Sequence, residues 1–165
     1  MAYLTQNQNQ TFMAPILGQV DMAAQPNVVS AKLDPASTNA YVQAGSPVKL
    51  VAKASKGEIV VDVCTGPTDG PVFGIVLFNP RKNTHAAGDT FEVGCRGTYV
   101  YLESSAAINR GARVNSTAAT ASADPLVTAV AHNTDFQVGV ALDQTAAAND
   151  LIRVQIDPSD PNLAY

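Results

Sequence analysis

The chain has no tryptophan, and all its aromatic residues together make up 6% of 165 positions. Sugar-binding modules usually present aromatic platforms, so that class is poorly equipped here. Charge is scarce as well. Asp, Glu, Lys and Arg account for 15% of the residues, against about 25% in an average soluble domain, and the balance is acidic, at −4. Nucleic-acid affinity comes from clustered Lys and Arg that release counterions. The one adjacent basic pair, Arg81-Lys82, follows Asn79-Pro80 in a turn and forms no such cluster. The longest apolar run, Val72 to Phe78, is far short of the roughly 20 residues a spanning helix needs. Neither nucleic acid nor a membrane is expected as a partner.

Catalytic signatures are missing too. There is no Gly-x-Ser-x-Gly, no Walker loop and no His-Glu-x-x-His. His85 and His132 stand without Cys, Glu or a second His at metal or triad spacing. Both are expected as solvated loop residues whose replacement changes little. Asp69, Asp89, Asp124, Asp157 and Asp160 sit in turns, most of them beside Gly or Pro. That placement suits side chains that bond main-chain NH groups better than the paired carboxylates of a glycoside hydrolase. No catalytic residue, metal site or cofactor is expected, and the chain is read as a non-enzyme. The only cysteines, Cys64 and Cys95, fall in predicted strands, where they are expected as buried, unpaired thiols. The N-terminus carries no Lys or Arg and runs polar from Thr5 to Thr11, where a secretory signal needs an apolar core. Assembly in a reducing cytoplasm is therefore expected.

What the chain does have is an internal echo. Phe73-Gly74-Ile75-Val76-Leu77, Ala87-Gly88-Asp89 and Phe91-Glu92-Val93 return as Val138-Gly139-Val140-Ala141-Leu142, Ala148-Asn149-Asp150 and Ile152-Arg153-Val154. Gly45-Ser46-Pro47-Val48-Lys49 precedes the first copy as Gly111-Ala112-Arg113-Val114-Asn115 precedes the second. A tandem of this kind points to a scaffold before a catalyst. It predicts that Gly74 and Gly139 hold equivalent places on two strands, and Asp89 and Asp150 equivalent places in turns.

Residues 1–40 carry little charge, are rich in Gln and Asn, and are broken by Pro15, Pro26 and Pro35. They read as an extended N-terminal arm that orders through contacts. Phe12, Met13, Ile16 and Leu17 are its candidate anchors and, with Arg81 and Lys82, form the candidate partner-binding set. From Tyr41 the pattern is β, with turn signals every 8 to 12 residues. A continuous buried strand is expected at Val72 to Phe78 and a short helical turn at Ala106 to Arg110. Asp157-Pro158-Ser159-Asp160-Pro161 is expected to end the fold, since proline cannot extend a ladder. The predicted fold is all-β: a compact sandwich or barrel of about nine short strands, made of tandem units at about 45–103 and 111–157 within a β domain 41–157, followed by a tail 158–165.

Taken together, Ala44-Gly45-Ser46-Pro47-Val48, Val72-Phe73-Gly74-Ile75-Val76-Leu77, Val93-Gly94-Cys95-Arg96-Gly97-Thr98-Tyr99, Arg110-Gly111-Ala112-Arg113-Val114 and Val138-Gly139-Val140-Ala141-Leu142 resemble segments of the structural cement, or capsid decoration, proteins of tailed bacteriophages. The resemblance covers about residues 40–157. It implies a virion protein on the outer capsid surface, bound between major capsid protein subunits after assembly in the host cytoplasm. It also implies a homo-oligomer, dimer or trimer, that strengthens the head and has no catalytic residues. A β-sandwich carbohydrate-binding or fibre-associated module is the alternative, and a hydrolase comes third.

Overall fold

The computed structural model describes residues 15–21, 25–39, 41–51, 57–117, 126–129 and 135–159. Among these it contains twelve strands and no helix. The strands are β1 (Val28–Leu33), β2 (Val42–Gln43), β3 (Pro47–Leu50), β4 (Val60–Val63), β5 (Gly74–Val76), β6 (Thr84–His85), β7 (Thr90–Gly94), β8 (Tyr99–Ser104), β9 (Arg113–Ser116), β10 (Leu126–Ala129), β11 (Gln137–Ala141) and β12 (Leu151–Ser159). Five close into a barrel in the order β1-β4-β3-β5-β7 and five into a second in the order β10-β8-β12-β11-β9, while β2 pairs with β6. Of the two architectures the sequence left open, the structure is the barrel.

The two barrels follow one plan. In each, the first strand in chain order runs parallel to the third, β1 to β4 and β8 to β10. Every other contact round the ring is antiparallel: third with second, second with fourth, fourth with fifth, fifth with first. Registers agree to the residue. Val48 lies opposite Gly74 as Val114 lies opposite Gly139, and Val76 opposite Val93 as Ala141 lies opposite Val154. The β2–β6 pairing of Val42 with His85 is matched by a bridge from Ile108 to Thr145.

Close packing explains the paired glycines. A Cβ on Gly74 would stand 2.5 Å from the carbonyl oxygen of Gly94, and one on Gly139 would overlap the carbonyl oxygen of Gln155. Gly94 and Gln155 are themselves equivalent, facing Ile75 and Val140. The paired turns also coincide. Gly88 (φ 85°) and Asn149 (φ 65°) take the left-handed conformation, which Gly adopts freely and Asn tolerates better than most residues. Gly88 N donates to Leu33 O at 3.0 Å and Asn149 N to Ser104 O at 2.7 Å, while Leu33 N and Ser104 N donate at 2.9 Å to the carbonyls of Asp89 and Asp150.

Strand β5 joins the barrels. Val76 points into the first core with Val48, Phe91 and Val93, whereas Ile75 and Leu77 belong to the cluster that fills the second barrel with Leu102, Ile152 and Ile156. Both faces of Gly74–Val76 are buried, which is why the run from Val72 to Phe78 is apolar throughout. Val140, the counterpart of Ile75, is only half-buried.

Particular elements depart from the sequence reading. β1 lies within the segment read as an arm: Val28-Val29-Ser30-Ala31-Lys32-Leu33 turns Ala31 and Leu33 inward and pairs with both β4 and β7. β8, read as the end of the first unit, is the first strand of the second barrel. No helical turn forms at Ala106 to Arg110, because Ile108 is drawn into its bridge and buried. Pro158 lies inside β12 rather than ending it. Gln137 faces Ser159 while Gly139 faces Ile156, so the proline falls in a bulge, where a missing N–H costs no ladder bond.

Candidate functional site

The described part of the N-terminal segment, residues 15–21, is held at the seam between the barrels. Gly18 N donates to Tyr101 O at 2.8 Å, Tyr101 N to Gln19 O at 3.0 Å, and Asp21 N to Tyr99 O at 2.8 Å. This adds a short antiparallel strand to β8, with a bridge from Val20 to Val100. On the other side Phe78 N donates to Gly18 O at 2.9 Å, tying the segment to the end of β5. Gly18 is required there: its φ is 75°, and a Cβ would meet Ala44 Cβ and Gly45 N at 2.9 Å.

Of the candidate anchors, Leu17 is half-buried and packs on the second barrel's core. Ile16 is 39% exposed. Both line a groove of about 160 Å³ with Gln43, Ala44, Phe78 and Asn83. Phe12 and Met13 lie outside the described residues. The far wall of the groove begins the exposed loop 79–83, which carries the two candidate cations. Arg81 N bonds Asn79 Oδ1 at 2.9 Å, fixing the turn and leaving the Arg81 side chain exposed. Lys82 is committed elsewhere. Its Nζ lies 2.5 Å from Asp89 Oδ2, and that hydrogen bond, with one from Ala86 N, holds the Asp89 carboxyl below the usual carboxylate range. The structure thus gathers Ile16, Leu17 and the loop bearing Arg81 onto one face, with Lys82 acting as a strut for the turn behind it. Sequence reasoning missed Gln43, Ala44, Phe78 and Asn83. The signal available for the seam was Gly18, a glycine that follows the apolar pair Ile16-Leu17.

A second groove, of about 260 Å³, is lined by Lys49, Leu50, Asp69, Gly70, Pro71, Val72 and Phe73. Leu50 is 58% exposed at its edge. Asp69 performs the capping expected of the turn acids: Oδ2 accepts from Thr65 N at 2.8 Å and Oδ1 from Lys49 Nζ at 2.7 Å. Partial burial pushes the Asp69 carboxyl up, but the bonds from Lys49 and Thr65 outweigh it and hold the group low.

The residues with reactive chemistry are inward. Cys64 and Cys95 are free and buried. Desolvation pushes the Cys64 thiol up to about 12, aided by Asp69, and raises Cys95 as well. His85 is a correction to the sequence reading. It is 3% exposed, because its pairing with Val42 turns the imidazole onto Phe91, with ring centroids 4.9 Å apart. Burial lowers its pKa, and Lys82 lowers it further against an opposing pull from Asp89. His85 is thus a buried residue of a paired ribbon and not a solvated loop histidine. His132 lies outside the described residues. Among the described residues no three His, Cys, Asp or Glu side chains gather as a metal-binding group.

A family model described as phage cement protein matches residues 30–156, from within β1 to within β12 and so across both barrels. Among solved structures, the head fiber gp8.5 N base of bacteriophage phi29 is similar at a TM-score of 0.48 and 12% sequence identity, over 82% of this chain and 98% of that one. No curated protein matches the sequence.

Proposed function

The chain belongs to the phage cement protein family, and from that premise we propose that it binds the outside of a phage head between major capsid protein subunits and stiffens the shell. At the coarser level it is a structural protein of the phage capsid. The observation that carries the reading is the extent of the family match, which spans both barrels.

Physical considerations support the finer role. A cement protein repeats one modest contact over a symmetric lattice, so strength comes from number rather than from any deep pocket. The face formed by Ile16, Leu17 and loop 79–83 suits such a contact. It offers exposed apolar surface beside a shallow groove and the exposed cation Arg81. We read the protein as non-enzymatic, and the sparse charge of the chain as that of a body that spends its life against neighbours.

The test compares particles with and without the protein. Because a ligand that binds only the assembled shell stabilises it by mass action, bare particles should release DNA at lower temperature, and purified protein should restore resistance. Equal release temperatures contradict the reading. Ile16→Asp combined with Arg81→Glu should weaken particle binding at least about tenfold, or about 1.4 kcal/mol, while leaving the protein's own melting temperature nearly unchanged.

A further inference from the structure

The duplicated plan exposes one asymmetry. In the second barrel the N-terminal half of the first strand, Tyr99 to Tyr101, is covered on the side away from β12 by Gly18 to Asp21. By register its counterpart in the first barrel is Val28 to Ser30: Tyr99 faces Gln155 as Val28 faces Gly94, and Tyr101 faces Arg153 as Ser30 faces Glu92. The parallel partner β4 reaches only Lys32 and Leu33. Lys32 N donates to Ile59 O at 2.9 Å, and below that the chain turns at Gly57, φ 93°. Since peptide groups alternate along a strand, Ser30 N and O face the same side as Lys32 N. Among the described residues nothing pairs with them. Val28 is 39% exposed and Ser30 is exposed.

We propose that this edge of β1 receives the N-terminal segment of a second copy of this chain, residues 1–14, as an added antiparallel strand. The second barrel shows what such an edge takes: a short run with a β-branched residue, Gly18-Gln19-Val20-Asp21, whose one charge is paired with Arg153. Residues 1–14 contain no Asp, Glu, Lys or Arg and include Tyr3, Leu4, Phe12 and Met13. Fully extended, they reach about 45 Å. The edge they would meet, Val28-Val29-Ser30, is uncharged too, so neither side forces a charge out of water. A second copy is favoured over the same chain by where the segment leaves the body. Ile16 and Leu17 lie against Phe78 and Asn83, at the end of β5, whereas the edge opens between β1 and β4. In the ring β5 is separated from β1 by β7 on one side and from β4 by β3 on the other. Strand addition of this kind takes its affinity from main-chain bonds and its selectivity from alternate side chains.

This inference concerns association in solution and does not rest on capsid binding. Sedimentation of the full chain should show self-association that Ser30→Pro weakens at least tenfold. Proline removes the Ser30 edge N–H without touching ladder bonds that Val29 and Ala31 make to β7, and edge positions tolerate it. Val28→Lys with Ser30→Lys, which blunts the edge by charge, should act alike and covers the case in which the proline variant misfolds. A synthetic peptide of residues 1–14 should dissociate the wild-type oligomer and bind neither edge variant. A wild-type chain that stays monomeric, edge variants that associate as the wild type does, or a peptide that does not compete would each overturn the proposal.

Discussion

At one matched position the first barrel sets Ala31 opposite Phe91, and the second sets Leu102 opposite Ile152. All four side chains are buried. One barrel places a small residue against a large one, and the other two of middle size, which fill similar space. Backbone register and turn geometry are common to the barrels; side-chain identity is free so long as volume is kept. Polar devices vary in the same way. Lys49 and Asp69 form an ion pair at 2.7 Å. The equivalent strand of the second barrel carries Asn115, which donates to a buried Asp135 at 2.9 Å. His85 in one bridge is Thr145 in the other. Two barrels built by one plan therefore tolerate different chemistry at several matched places, while the positions where backbone meets backbone stay glycine.

The largest effect should come from upsetting the volume exchange. Leu102→Ala copies the small partner of the first barrel without its large one, and should cost about 3 kcal/mol in urea denaturation. Adding Ile152→Phe should recover part of that loss, and no recovery would mean that the matched positions do not share one cavity. The glycines test the backbone side of the comparison. Gly74→Ala and Gly139→Ala each force a Cβ onto a carbonyl and should each cost about 2 kcal/mol or more. A tolerated substitution at either site would break the equivalence.

The smallest effect separates His85 from Thr145. The imidazole titrates near 6.5 when unfolded and lower when folded. The unfolded chain therefore binds a proton that the folded chain does not, and stability falls as pH drops through 6.5. His85→Thr, which installs the second barrel's residue, should lower stability at neutral pH by loosening the packing on Phe91 but flatten that slope. An unchanged slope would place its origin elsewhere. The depressed carboxyls of Asp69, Asp89 and Asp143 act in a separate window: their contribution is present above 3.8 and is lost as pH falls through their folded values.

Much of this plan was legible in the sequence, because the features that encode it are local. Gly74 with Gly139 and Asp89 with Asp150 mark places where backbone geometry restricts the residue, and such marks survive while cores are repacked. β1 was missed because its alternation, Val29, Ala31 and Leu33 against Ser30 and Lys32, is brief and follows a polar, proline-broken stretch. His85 was misread because its burial comes from a two-residue ribbon with Val42, a pairing between distant segments that no local pattern announces. Pro158 was misread because a bulge is set by the partner strand. The candidate site was legible only in pieces. Ile16, Leu17 and Arg81 could be named one by one, but the seam that joins them depends on Gly18 bonding both Tyr101 and Phe78.

Imaging of heads saturated with the purified protein tests the capsid role most directly. The account predicts density on the outer surface at lattice junctions, each molecule touching two major capsid protein subunits with the face formed by Ile16, Leu17 and loop 79–83 toward the shell. Heads that take up no protein, or density confined to a single subunit, would contradict it.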